Sequence, residues 1–259
     1  MEEKTSENDE VCKVVAEEKS KKRDRVNSVK DSYSHHSSFD EESSSESTDL
    51  DTVHVANKKI VVMENNRQIK ELQTLLWDKN TSRADFIFHA DRLIRLATEE
   101  GLNQLPFKEC SVTTHTGAEY KGCEFYKGIC GVSIVRSGEA MEKGLRECCR
   151  GIRIGKVLMS KDEETNERQI IYARFPPDIH NRKVFLMYPL LMSGGNVTVG
   201  VDALVDYGVE TENIFILTLF ATPRGINTLF KKHPNVLLLT TEINDDVPLH
   251  FGEKYYGTG

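Results

Sequence analysis

Lys183-Val-Phe-Leu-Met-Tyr-Pro-Leu-Leu-Met-Ser-Gly-Gly-Asn196 decides the fold of this chain. An apolar run, predicted as a strand over Val184 to Met187, turns into a Ser-Gly-Gly-Asn loop. A helical pattern on Val197, Val199 to Val201 and Ala203 to Val205 follows it. A strand, a glycine loop and a helix N-terminus form an anion cradle, because the unpaired N–H groups of the first turn and the helix dipole both favour negative charge. Glycines also permit a tight strand-to-helix turn with no ligand at all, so this loop needs a second feature beside it.

Outward from that stretch, strands and helices alternate. Strand Cys130 to Val135 leads through Arg136-Ser137-Gly138 into a helix, Glu139 to Cys149. Strands Ile154 to Met159 and Gln169 to Arg174 flank an acidic loop, Lys161 to Glu167. Strand Ile214 to Leu219, helix Pro223 to Lys232 and strand Val236 to Thr240 complete the series. Such alternation implies an α/β fold with a mainly parallel sheet covered on both faces. Ligands of these folds sit at the carboxyl ends of the strands, where the strand order reverses.

Before this series, Ile69, Leu72 and Leu76 predict a helix within Asn66 to Asp78. Ser82-Arg-Ala-Asp85 reads as a capping start for a second, with Phe86, Ala90, Leu93, Ile94 and Ala97 as its buried stripe and Gly101 as its stop. Two short strands, Cys110 to Thr114 and Tyr120 to Phe125, flank a Thr-Gly turn.

The net charge of −7 argues against a general nucleic-acid binder, which must neutralise phosphates. No apolar run approaches the roughly 20 residues that cross a bilayer, and the start, Met-Glu-Glu-Lys-Thr-Ser, has no apolar signal core. The six cysteines show no Cys-x-x-Cys spacing and no histidine at zinc-finger distance, so reduced thiols in the cytosol or nucleus are expected. Cys148-Cys149 reads as a pair of buried packing residues in preference to a reactive pair.

Residues 1–59 lack any pattern that could bury a face. Ser37 to Asp51 holds six serines and six carboxylates without one basic residue, a composition expected to stay disordered. Within that tail, Lys19-Ser-Lys-Lys-Arg-Asp-Arg25 admits two readings, a nuclear-import signal or a solvated charge run. Order is expected over 60–259.

Two loops carry the chemistry. Arg136 ends a buried strand just before a helix, where a guanidinium can grip a phosphate bidentately. With the Ser193 loop it suggests a ligand with two separated phosphate groups. No Gly-x-x-x-x-Gly-Lys-Ser/Thr and no Gly-x-Gly-x-x-Gly occurs, which removes the P-loop kinases and the dinucleotide fold.

Six segments together resemble the uracil phosphoribosyltransferases, most closely the animal branch, which also occurs fused behind uridine kinase domains. They are Asn66-Arg-Gln-Ile-Lys-Glu-Leu-Gln73, Ala90-Asp-Arg-Leu-Ile-Arg95, Glu100-Gly-Leu-Asn-Gln-Leu-Pro106, Gly131-Val-Ser-Ile-Val-Arg-Ser-Gly-Glu-Ala-Met141, Phe175-Pro-Pro-Asp-Ile179 and His250-Phe-Gly-Glu-Lys-Tyr-Tyr-Gly-Thr258.

The resemblance implies a type I phosphoribosyltransferase fold: a twisted parallel sheet flanked by helices, with a small C-terminal base-binding hood. It implies transfer of phosphoribosyl from phosphoribosyl pyrophosphate (PRPP) to uracil, giving UMP and pyrophosphate, and a homo-oligomer. Carried over residue by residue, the PRPP site comprises Arg136, Ser137, Gly138, Lys161, Tyr188, Pro189, Leu190, Leu191, Ser193, Gly194, Gly195, Asn196 and His250. Uracil falls to Leu249, His250, Phe251 and Gly252, largely through backbone groups. Mg2+ enters with PRPP, and GTP, an activator of some relatives, falls to Arg83, Arg92, Arg153 and Arg182.

The chain departs from the pattern of active microbial relatives in three places. Tyr188 stands where they carry an Asp that accepts two ribose hydrogen bonds, and a phenol cannot accept both in that bidentate way. Losing such a charge-assisted contact costs about 1.5–3 kcal/mol. Lys161 replaces an arginine and its fork of donors. Val247-Pro248-Leu249 is poorer in glycine than the matching stretch, so Leu249 and Phe251 are expected to crowd the base. These departures leave a second reading open, a degenerate homologue that binds a nucleotide or a protein partner without turnover.

Overall fold

The structure, a computed structural model, describes residues 59–162 and 168–257. The tail thus lies outside the described residues apart from Lys59, as does most of the acidic loop. Seven strands form the main sheet: β1 (Ile60–Val62), β4 (Ile129–Val135), β5 (Arg153–Lys161), β6 (Arg168–Arg174), β7 (Lys183–Met187), β9 (Ile214–Leu217) and β11 (Leu237–Thr240). Across the sheet they run β1-β11-β9-β7-β4-β5-β6. All neighbours are parallel except β5 and β6, which pair antiparallel.

The central strands alternate between two buried faces, as the twofold period of a strand requires. Phe185, Met187, Phe215, Leu217 and Leu239 face one layer of helices, α1 (Arg67–Trp77), α2 (Arg83–Asn103) and α3 (Ala140–Cys148). Val184, Leu186, Ile214, Ile216 and Leu238 face the other, α4 (Gly195–Asp206) and α5 (Pro223–Lys232). Among the described residues no helix is long and apolar enough to cross a membrane.

Caps set the first helices where the sequence puts them. The Asn66 side chain accepts from the N–H groups of Gln68 and Ile69, and Ser82 accepts from Asp85 N at 3.2 Å while donating to its carboxylate at 2.7 Å. Gly101 does not stop α2, which continues to Asn103. It is buried, and a Cβ there would lie 3.1 Å from the Phe185 ring, so the glycine serves close helix-to-sheet contact.

Three features escape the sequence pattern. The first hairpin, β2 (Phe107–Thr113) and β3 (Glu119–Phe125), begins three residues earlier than its predicted strand and forms a sheet of its own. Strand Ile214 to Leu219 breaks at Thr218, whose hydroxyl donates to Pro189 O at 3.0 Å. Past that break lies a small parallel sheet of two-residue strands, β8 (Leu190–Leu191), β10 (Phe220–Ala221) and β12 (Glu242–Ile243). The C-terminal stretch forms a helix, α6 (Phe251–Tyr256).

The cysteine pair is half-buried and not fully inside. Burial, reinforced by Glu99, pushes the Cys148 thiol up to about 12, and burial also raises Cys149, so neither is poised as a thiolate nucleophile.

Candidate functional site

β4 continues sideways into β5, whereas β7, β9 and β11 build in the opposite direction. The strand order therefore reverses between β4 and β7, which pair up to Ser133↔Met187. The Arg136 loop leaves the carboxyl end of β4 and the Ser193 loop that of β7, so the two predicted loops share the crevice this topology creates.

Packing holds the first loop. The chain passes a cis Val135–Arg136 peptide into a tight helical turn, Ser137–Glu139. Gly138 is buried there, and a Cβ on it would stand 2.4 Å from Met187 O. Arg136 is exposed, with its guanidinium 5.2 Å from the Tyr256 ring centre. The Tyr256 hydroxyl donates to Arg136 O at 2.9 Å and approaches Ser137 O at 3.4 Å. Burial pushes that phenol up to about 12. Helix α6, read from the sequence only as a base-binding loop, thus braces the Arg136 loop.

The second loop rests on backbone. Gly194 adopts φ 77° as the N-cap of α4, and a Cβ on it would lie 2.6 Å from Gly225 O. A Cβ on Gly225 would in turn lie 2.6 Å from Leu191 O. Thr222, the N-cap of α5, accepts from Gly225 N at 3.0 Å and donates to Met192 O at 2.6 Å. Among the described residues no side chain caps α4, and no acidic residue occupies its first turn, so these residues supply its N–H groups with no internal anion.

Above this floor runs a polar chain. Arg168 Nε donates to Asn196 Oδ1 at 2.6 Å, and Asn196 Nδ2 donates to the Tyr188 hydroxyl at 2.7 Å. Because Nε can only donate, the amide orientation is fixed. Arg168 Nη2 also lies 3.4 Å from Ser193 Oγ. Arg168 carried no expectation from the sequence. Pro189 is buried and its carbonyl accepts from Leu219 N at 2.9 Å, while Leu190 and Leu191 belong to β8. Lys161, at the end of β5, is exposed and pairs in register with Arg168.

The C-terminal candidates separate. The His250 ring donates from Nε2 to Leu76 O at 2.9 Å and meets Phe86 edge-on at 5.6 Å, which commits it to the end of α1. The Phe251 ring is fully buried, 5.4 Å from Phe86 and stacked at 5.6 Å on Tyr255. It therefore does not crowd an open pocket, as the sequence suggested. Leu249 is 64% exposed, and Gly252 has open space where a Cβ would stand.

The four GTP candidates are only partly together. Arg153 and Arg182 share Asp178, at 3.0 and 2.6 Å, and the Arg182 bonds hold that carboxyl down to about 2. Arg83 donates to Tyr255 O at 3.3 Å and Arg92 to Gln68 at 3.4 Å. A cleft of about 820 Å³ includes Ile129 and Arg153 at the amino ends of β4 and β5, and Arg182 just before β7. It lies opposite the edge where α/β sheets carry their chemistry. Among the described residues, no group of three or more His, Cys, Asp and Glu is placed to hold a metal ion.

A mainly parallel sheet with two anion-ready loops at its strand-order reversal defines a phosphoribosyltransferase fold. The chain matches the family "Uracil phosphoribosyltransferase" over residues 62–258, and it belongs to that family. The human "Uracil phosphoribosyltransferase homolog" is 58% identical over 193 residues, 74% of this chain and 62% of that protein, so the chain spans about 62% of that relative's length. The Dictyostelium discoideum "Uracil phosphoribosyltransferase" is 48% identical over 199 residues, 77% of this chain and 90% of that protein. A solved protein of Aquifex aeolicus, 20% identical, shares the fold with a TM-score of 0.66 over 77% of this chain and 99% of that one.

Proposed function

We propose that this chain serves pyrimidine salvage by moving phosphoribosyl from PRPP to uracil, forming UMP and releasing pyrophosphate. The observation that carries the reading is the pair of anion-ready loops on adjacent strands of a uracil phosphoribosyltransferase-family sheet. The α4 N-terminus would take the ribose 5′-phosphate, and Arg136 with Ser137 and Gly138 the pyrophosphate. The sugar passes through a loosened cationic centre, so catalysis consists of positioning and of stabilising the departing charge. Mg2+ would arrive bound to the donor's pyrophosphate and neutralise part of its charge. Leu249 to Gly252 would offer uracil their backbone groups.

Tyr188 favours a second reading, binding without turnover. Its hydroxyl already accepts from Asn196, so it does not replace a carboxylate that accepts from the ribose.

The deciding experiment supplies labelled uracil, PRPP and Mg2+, with and without GTP. UMP formation, cut about ten- to a hundred-fold in kcat/KM by Arg136→Ala, is the expected result. Saturable UMP binding without product would establish the second reading. In that case product formed by Tyr188→Asp would assign the loss to this one position.

A further inference from the structure

We propose that Arg168 is a second guanidinium of the 5′-phosphate site and sets the hydroxyl of Tyr188 as a donor to the sugar. This rests on the phosphoribosyl-transfer reading. Lys161↔Arg168 is the last pair of the β5–β6 hairpin, which puts Arg168 at the same sheet edge as both loops. Its side chain crosses to α4 and lies flat on Gly195, where a Cβ would stand 2.5 Å from Nη1 and 2.7 Å from Cζ. A side chain at the first position of α4 would push that cation off this place.

The arrangement places positive on positive. A helix N-terminus carries about half a positive charge, and α4 has no acidic residue in its first turn. The contacts of Arg168 with described residues are to the neutral Asn196 and Ser193, not to a carboxylate. A guanidinium has five N–H donors, and among the described residues these contacts leave several without a partner. A phosphate between Arg168 and the α4 N–H groups would neutralise both and accept bonds from both.

The same guanidinium reaches the sugar site through Asn196. Asn196 is fixed by Arg168, and Tyr188 accepts from it, so the Tyr188 proton points elsewhere and meets no acceptor among the described residues. A ribose oxygen is an acceptor of the right kind. Where relatives use a carboxylate that accepts, this chain would use a phenol that donates, aligned by a polarised chain of hydrogen bonds.

Ribose 5-phosphate, titrated calorimetrically into the full-length chain, tests this without turnover. Arg168→Gln should weaken it about ten- to a hundred-fold, with Arg168→Lys recovering part of the loss. KM for PRPP should rise by a similar factor while kcat stays within a few-fold. Equal or tighter binding by Arg168→Gln overturns the assignment, the tighter case meaning that Arg168 occupies the phosphate's place. Wild-type turnover with an unaltered KM in Arg168→Gln sinks this inference alone. Loss of ribose 5-phosphate binding in a chain that makes no UMP sinks the reaction and leaves the site standing. No ribose 5-phosphate binding by the wild type sinks both.

Discussion

Packing fixes the loop after β4, whereas side-chain hydrogen bonds fix the rim of the loop after β7. Gly138 is pressed against Met187 O, and Tyr256 ties Arg136 O and Ser137 O from another helix. Over the Ser193 loop, by contrast, Tyr188, Asn196 and Arg168 hold one another while no described side chain caps the α4 N–H groups. A packed loop presents one cation in one place. A rim held by polar contacts can exchange them for those of a ligand, and that difference sets the cost of disturbing each.

Gly138→Ala should be the costliest change. Its methyl would meet a backbone oxygen that belongs to β7 and cannot swing aside, for a loss of about 3 kcal/mol in urea unfolding. A loss below about 1 kcal/mol would mean that packing does not hold this loop. Asn196→Ala should cost about 1 kcal/mol, because Tyr188 and Arg168 are only half-buried and water replaces the amide. A loss equal to that of Gly138→Ala would erase the distinction between the loops.

Tyr256→Phe should cost still less, about 0.5–1 kcal/mol near neutral pH. It also carries a pH signature. The folded phenol sits at about 12, above its ordinary value near 10. Its contribution is therefore complete below about pH 10 and is lost as pH rises through about 12. Stability of the wild type should fall relative to that of Tyr256→Phe across this window. Parallel curves would show that the phenol is no anchor.

Much of this architecture is legible in the sequence because it obeys a period. Phe185 and Met187 against Val184 and Leu186 declare a strand buried on two faces, and helix Pro223–Lys232 falls where the sequence places it. Strands β8, β10 and β12 do not, since two residues make no period. Gly101 deceived because a packing glycine and a stopping glycine are the same letter. Both loops were legible as anion-ready turns, but their bracing was not. Arg168 lies 28 residues before Asn196, and Tyr256 lies 120 residues after Arg136. No local pattern announces such meetings.

The backbone floor shared by Gly194, Gly225 and Leu191 bears on how this chain can change over time. Its two contacts, Gly194 on Gly225 O and Gly225 on Leu191 O, leave no room for an added atom, so drift at the two glycines is closed. The residues above it, Tyr188, Asn196 and Arg168, hold one another through side chains and are open to replacement in concert. A combinatorial library confined to those three would sample new sugar and anion preferences on an intact scaffold. The same library moved to the floor would return mostly unfolded protein. Evolvability here is a property of one layer, resting on another that has none.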